Sequence, residues 1–195
     1  MRCQGSARSR RYLPESQLVK TWIALLRGVN VVGRNKVPMK ELAAALEHAG
    51  FRSVRTYIQS GNIIFQSTAG TPRTLGTRIA RLIHREFGFA PQVMVISGDE
   101  LARAVRGNPF PGALENHKLL HIFFLSEKPA RPDLESLSKL DAGREAFALK
   151  GAVFYLYTPD GFADSVLHPR IERCLGVHAT GRNWRTANEL LKLLD

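Results

Sequence analysis

The sequence predicts an α+β fold: two tandem βαββαβ units with antiparallel sheets, followed by a C-terminal helix. Three observations carry the prediction. Between residues 20 and 96 the apolar residues alternate between a period of two and a period near 3.6, in the order strand, helix, strand, strand, helix, strand. A hairpin with a tight Ser-Gly-Asn turn lies at the centre of that stretch. After residue 108 the same succession recurs in less regular form.

Lys20 to Arg27 reads as a strand with Trp22, Ala24 and Leu26 on one face and Ile23 and Leu25 on the other, so it is expected to be central and covered on both sides. A loop from Gly28 to Val37 leads to Pro38, placed as the first residue of a helix. In that helix Met39, Leu42, Ala43, Leu46 and Ala49 keep helical spacing, and Gly50 serves as a left-handed cap. Val54 to Gln59 and Asn62 to Ser67 form the hairpin, with Gly61 and Asn62 as the residues that tolerate positive φ. A second helix starts at Thr71 and Pro72, buries Leu75, Ile79, Leu82, Ile83 and Phe87, and stops at Gly88; Pro91 to Ile96 is the fourth strand. This order is the split-βαβ, or ferredoxin-like, arrangement.

Ser97 and Glu100 make a capping box for a short helix through Val105, closed by Gly107. The boundary between units falls in the loop Asn108-Pro109-Phe110-Pro111-Gly112. Beyond it come a strand, Leu119 to Leu125, a short helix, Asp133 to Leu140, and a second hairpin, Glu145 to Leu149 with Val153 to Tyr157, turned at Lys150-Gly151. A helical stretch from Phe162 to Leu175, interrupted by Pro169 and capped by Gly176, precedes a closing strand from Val177 to Thr180. The last helix takes Asn183 as N-cap and buries Ala187, Leu190, Leu191 and Leu194. The chain thus divides into a basic extension (1–18), a first unit with its linker helix (19–107) and a second unit with the C-terminal helix (108–195).

A chain of 195 residues with 44% hydrophobic content can bury a sufficient core without staples. Cys3 and Cys174 are too few and too far apart for a disulfide framework, so a reducing, cytoplasmic location is expected. The longest apolar runs, Trp22 to Leu26 and Ile122 to Leu125, are far too short to span a bilayer, and no membrane partner is expected. Arg2, Arg8, Arg10 and Arg11 stand in the extension with Glu15 as its one acid, and no apolar middle makes it a secretion signal. An Arg-rich, acid-poor leader of this kind fits a targeting segment or a nucleic-acid arm, but reads first as a disordered extension without a role of its own. Ordered periodicity begins at Lys20, which raises the expectation that translation starts at Val19 from an alternative codon.

Net charge is +11, and the residues after the extension retain +8. That excess favours anionic partners, nucleic acid or phosphorylated small molecules, and fits a diffusely basic surface equally well. The best candidate site is the loop from Arg27 to Lys36. Ten residues exceed the usual connection of about 2 to 6; the loop leads into a helix N-terminus, and Arg27, Asn30, Arg34 and Lys36 supply charge and a polar amide. It has neither Walker spacing nor a GxGxxG pattern, so its glycines also fit a purely structural loop. Gln59, Ser60 and Asn62 place hydrogen-bonding groups at the hairpin tip, where Ser and Asn equally serve the turn. Arg55, Tyr57 and Gln59 share a strand face of the kind used to bind single strands, but Ser60 to Phe65 lacks the RNA-recognition signature. Arg182, Asn183, Trp184 and Arg185 form a third cluster, suited to an anion or a stacked ring, or simply to capping and packing the last helix.

Catalysis and cofactors find little support. The six histidines are scattered without HxH or HxxxH pairing, so no metal or other cofactor is expected, and His121 on an apolar strand reads as a core histidine. Ser60 is not in a GxSxG elbow. The leading expectation is a non-catalytic binder of an anionic, nucleic-acid or nucleotide-like partner. An enzyme acting on a phosphorylated or carboxylate substrate requires Arg27, Lys36, Gln59 and Arg182 to meet in one pocket. A structural or protein-interaction domain requires an exposed apolar patch instead.

At Leu25 to Gly33, Lys36 to Met39 and Thr56 to Phe65 the chain closely resembles a bacterial family known as domain of unknown function DUF1697, and Asn108-Pro109-Phe110 and Thr180 to Thr186 are similar to that family's later motifs. The resemblance runs from Lys20 to the C-terminus. It implies a bacterial, cytoplasmic α+β protein of two related ferredoxin-like parts, with no activity, cofactor or catalytic residue to carry over.

Overall fold

β1 (Lys20–Arg27) is the axis of the first sheet, and its two apolar faces account for that position. Ile23, Ala24 and Leu25 are wholly removed from solvent. In the computed structural model, which describes residues 19–31, 34–112 and 116–194, β1 pairs antiparallel with β3 (Asn62–Ser67) on one side and β4 (Gln92–Ser97) on the other. β2 (Arg52–Tyr57) adds to β3, so the order is β2-β3-β1-β4. The second sheet is built from β5 (Leu120–Leu125), β6 (Ala146–Lys150), β7 (Val153–Tyr157) and β8 (Ala179–Asn183). Its order, β6-β7-β5-β8, is that of the first sheet with every pairing again antiparallel.

Among the described residues six α-helices cover these sheets. α1 (Met39–His48) and α2 (Pro72–Phe87) bury Leu42, Leu46, Leu75, Ile79 and Ile83 against Trp22, Ala24, Leu26, Ile63 and Phe65. The opposite face of the first sheet, with Ile23, Leu25 and Ile64, looks toward Leu120, Ile122, Phe124 and Tyr155 of the second. Between them lie Leu101 and Ala104 of α3 (Gly98–Arg106) and Trp184, Ala187 and Leu190 of α6 (Trp184–Lys192). Phe123, Leu125, Phe154 and Leu156 point the other way, onto Leu137 of α4 (Leu134–Ser138) and onto Ile171, Cys174 and Leu175 of α5 (Ile171–Leu175). Three apolar layers thus alternate with two sheets, and the middle one belongs to both halves of the chain.

Local chemistry sets the element ends. Thr71 and Thr74 form a capping box for α2, Ser97 and Glu100 one for α3, and the Asn183 side chain accepts from the Thr186 amide to start α6. Gly88 and Gly176 close α2 and α5 in the left-handed region. Pro38 is the N-cap of α1, with an extended ψ of 111°, and not its first helical residue.

Three further readings of the sequence need correction. The hairpin turn spans four residues, Ile58 to Gly61, and its left-handed residues are Ile58 (φ 50°) and Gly61 (φ 73°), not Asn62. Asn62 is fully buried and braces the turn, donating to the Tyr57 carbonyl (3.1 Å) and to Ser60 Oγ (2.9 Å). Second, residues 162–167 are not helical: the Glu145 carboxylate accepts from Ser165 Oγ, the Val166 amide and the Leu167 amide, holding them as a loop, and Pro169 admits only a 3₁₀ turn before α5. Third, the closing strand is Ala179–Asn183, shifted toward the C-terminus. The shift sets Gly181 opposite Phe123, where any Cβ would stand 2.7 Å from the ring. The basic extension and Cys3 lie outside the described residues.

Candidate functional site

The three segments singled out in the sequence meet at one end of the first sheet. The Leu26 amide donates to the Gly61 carbonyl (2.8 Å), seating the hairpin turn against the end of β1. Gly61 permits this approach, since a Cβ there would lie 2.6 Å from Leu26 Cβ and Val29 Cγ2. The loop after β1 is pinned at both ends by buried Val29 and Val37. Within it Asn30 and Asn35 take left-handed conformations that Asn tolerates, and the Asn30 amide donates to the Asn35 carbonyl (3.1 Å). The Asn30 side chain does two further things: its Oδ1 accepts from the Val37 amide (2.8 Å), and its Nδ2 donates to the carbonyls of Val37 (3.0 Å) and Gln59 (2.7 Å). That last bond ties loop to hairpin.

The third segment arrives through Arg182 on β8. Its Nε donates to Asn62 Oδ1 (2.6 Å), and its Nη2 donates to the Leu26 carbonyl (2.9 Å) and more weakly to those of Ser60 and Gly61 (3.3 and 3.4 Å). Nη1 turns back to the Gly181 carbonyl (2.8 Å). One guanidinium therefore joins β8 to β1 and the hairpin turn, more than a hundred positions away, and among the described residues it has no carboxylate partner. Burial pushes its pKa down to about 10, so it remains charged at neutral pH. Carbonyl dipoles alone offset that charge.

Residues 19–155 match the family model described as "Protein of unknown function (DUF1697)". The chain belongs to the DUF1697 family. The match takes in the loop and the hairpin; Arg182, Asn183 and Trp184 lie beyond it. A solved structure, "The structure of conserved bacterial protein SP0830 from Streptococcus pneumoniae", is similar at a TM-score of 0.65 and 23% identity, covering 91% of this chain and 100% of that one. At that identity the likeness concerns the fold. Among curated proteins none matches the chain.

In this DUF1697 chain the nine candidate residues divide by what already occupies them. Arg27 forms a bidentate pair with Glu172 of α5 (2.6 and 3.1 Å), and the hydrogen bond from Arg27 is the main cause holding the Glu172 carboxyl below its usual range. Asn62 and Arg182 are bonded to each other, Asn183 caps α6, and Trp184 is 6% exposed in the middle layer. Asn30 is engaged by Val37 and Gln59. Arg34, Lys36 and the Gln59 side chain stand exposed, and among the described residues no carboxylate is within ion-pairing distance of Arg34 or Lys36. An open hollow of about 410 Å³ is lined by Gly28, Val31, Arg34 and Asn35. Arg55 and Tyr57 do not form an open platform: Tyr57 is partly buried against the middle layer.

Sequence reasoning missed Glu172, whose partner lies 145 positions away with no local signal. It also missed an aromatic stack on the outer face of β5. His121 lies 3.9 Å from Phe162, and Phe162 lies 4.4 Å from His168, centroid to centroid. Burial, reinforced by His168, pushes the His121 pKa down to about 4, and among the described residues its Nδ1 has no hydrogen-bond partner. Among the described residues no group of three or more His, Cys, Asp or Glu side chains is placed to hold a metal, and no helix is long and apolar enough to cross a membrane.

Proposed function

We propose that this DUF1697 protein is a non-catalytic binder of an anionic partner, nucleic acid or nucleotide-like, engaged at the loop that follows β1. The observation that carries the reading is the contrast within the site. Asn30, Asn62 and Arg182 hold loop, hairpin and β8 together, Arg27 is paired with Glu172 and Asn183 caps α6, which leaves Arg34, Lys36 and Gln59 presented on a braced support. Cations held on a rigid frame, unpaired by internal acids, favour a phosphate over water more than mobile ones do. The hollow beside Arg34 has room for a phosphate and part of a sugar.

The wider reading follows the same line. The identical strand orders support two ferredoxin-like units, 19–107 and 108–195; in this reading the partner meets the first unit, and the protein works in the cytoplasm. Fluorescence anisotropy of labelled oligonucleotides over a salt series, with nucleotides as competitors, tests it. Affinity is expected to fall as salt rises, and Arg34→Gln with Lys36→Gln to make log Kobs against log[salt] shallower by about 1.4 to 1.8. Binding indifferent to salt, or a double variant equal to wild type, contradicts the reading.

A further inference from the structure

The positive charge of the chain is unevenly divided. Residues 19–107 hold thirteen lysines and arginines against five acids, whereas residues 108–195 hold eleven of each. Within the body of the chain the whole excess therefore sits on the first sheet and its helices. Much of it is on α2, where Arg73, Arg78, Arg81 and Arg85 are all exposed and Glu86 is the one acid. At about 100° per residue the four arginines fall within about 140° of the helix circumference, over a length of about 18 Å.

Packing and helix stability do not account for this ridge. Arg78 serves the fold, since its guanidinium lies 4.7 Å from the Phe51 ring and donates to the Ala49 carbonyl, covering the joint between α1 and β2. Arg85 pairs with Glu86 at the surface and, with His84, suits the negative end of the helix. Arg73 has the opposite placement. It stands in the first turn, which contains no acid and where the dipole disfavours a cation. Among the described residues neither Arg73 nor Arg81 has a carboxylate within ion-pairing distance. Two unpaired arginines, Arg73 and Arg81, with Arg85 beside them on the same helix face, are a counter-charge for a regular array of anions.

The character of the surface selects the partner. The exposed large apolar side chains among the described residues are Val19, Val31, Ile58 and Val166, none of them on α1 or α2. The ridge thus offers nothing to enter a bilayer. Phe51 lies beneath Arg78, Phe87 is partly buried, and α2 exposes one imidazole, His84, but no Phe, Tyr or Trp ring of the kind that builds a single-strand stacking platform. What remains is contact with phosphates alone, the sequence-independent mode by which duplexes are held. We propose that the outer face of α2 docks on the sugar–phosphate backbone of a nucleic-acid duplex through Arg73, Arg81 and Arg85, with Arg78 keeping the helix seated. This rests on the reading of the protein as an anion binder but assigns the contact to a second surface, distinct from the loop of Arg34 and Lys36.

The test uses the full chain and a labelled 16-base-pair duplex of mixed sequence, as DNA and as RNA, titrated from 50 to 200 mM salt beside vesicles containing anionic lipid. A triple variant, Arg73→Gln, Arg81→Gln and Arg85→Gln, is compared with Arg34→Gln plus Lys36→Gln, and circular dichroism verifies that each folds. The expected result is duplex binding whose log–log salt slope the α2 variant makes shallower by about 2.7, roughly a 40-fold change across that salt range. An α2 variant that binds duplex as wild type does, while the loop variant fails, overturns the α2 assignment and leaves the loop reading standing. Tighter binding to vesicles than to duplex also overturns it. Wild-type protein that binds no polyanion at 50 mM salt overturns both.

Discussion

Arg182 is the residue on which the junction between the halves turns. Removing its side chain leaves the Leu26 carbonyl and Asn62 Oδ1, both on buried residues, without their donor, and each stranded buried acceptor costs about 1 to 3 kcal/mol. Arg182→Ala is accordingly expected to destabilise the protein by about 3 kcal/mol, read as a lower denaturant midpoint at unchanged slope. Arg182→Lys keeps the charge yet has a single nitrogen, which cannot reach acceptors on β1 and the hairpin at once; it should recover only part of the loss. Equal stability of wild type and Arg182→Ala would show that the fan of hydrogen bonds does not hold the junction. The sequence displayed Arg182 as a cation in a polar cluster. Its main-chain acceptors on β1 and the hairpin lie 121 to 156 positions away, and carbonyls carry no residue-type signal.

At the scale of elements, strand and helix positions were legible wherever period and punctuation agreed. β1 and β3 have the bounds that the apolar pattern predicts, and α2 and α3 begin at their capping boxes. Elements whose ends depend on distant partners were not legible: residues 162–167 look helical by composition until the Glu145 carboxylate claims their amides, and β8 takes its register from the space Phe123 needs opposite Gly181. The loop at 162–168 meets β5 through the His121 stack, which makes that contact sensitive to acid. The folded state holds His121 near pKa 4 against an ordinary 6.5, so the unfolded chain takes up the proton first. Stability is therefore complete above about pH 6.5, declines as pH falls toward 4, and levels off below, with a total loss of about 3 kcal/mol. Denaturant midpoints between pH 7.5 and 4 should show this decline in wild type and a smaller one in His121→Phe, which has no imidazole to protonate. Parallel pH profiles for the two proteins would contradict it.

For the whole molecule, the middle apolar layer explains why two similar halves act as one body. Ile23, Leu25 and Ile64 of the first sheet need Ile122, Phe124 and Tyr155 of the second to leave water, and α3 and α6 fill the remaining space. The same arrangement orients the charge: the neutral half closes one face of the first sheet, and the basic half turns α2 and the Arg34–Lys36 loop outward. Convergence of the three polar segments was a requirement of the functional reading that residue types alone do not establish, and the division between structural and free cations depended on acids and carbonyls brought in by folding. The most direct measurement is amide hydrogen exchange along the full chain with and without a 16-base-pair duplex at low salt. The account predicts slower exchange confined to residues 28–37, 58–61 and α2, with residues 116–194 unchanged. Protection spread evenly over both halves, or centred on the second, would contradict it.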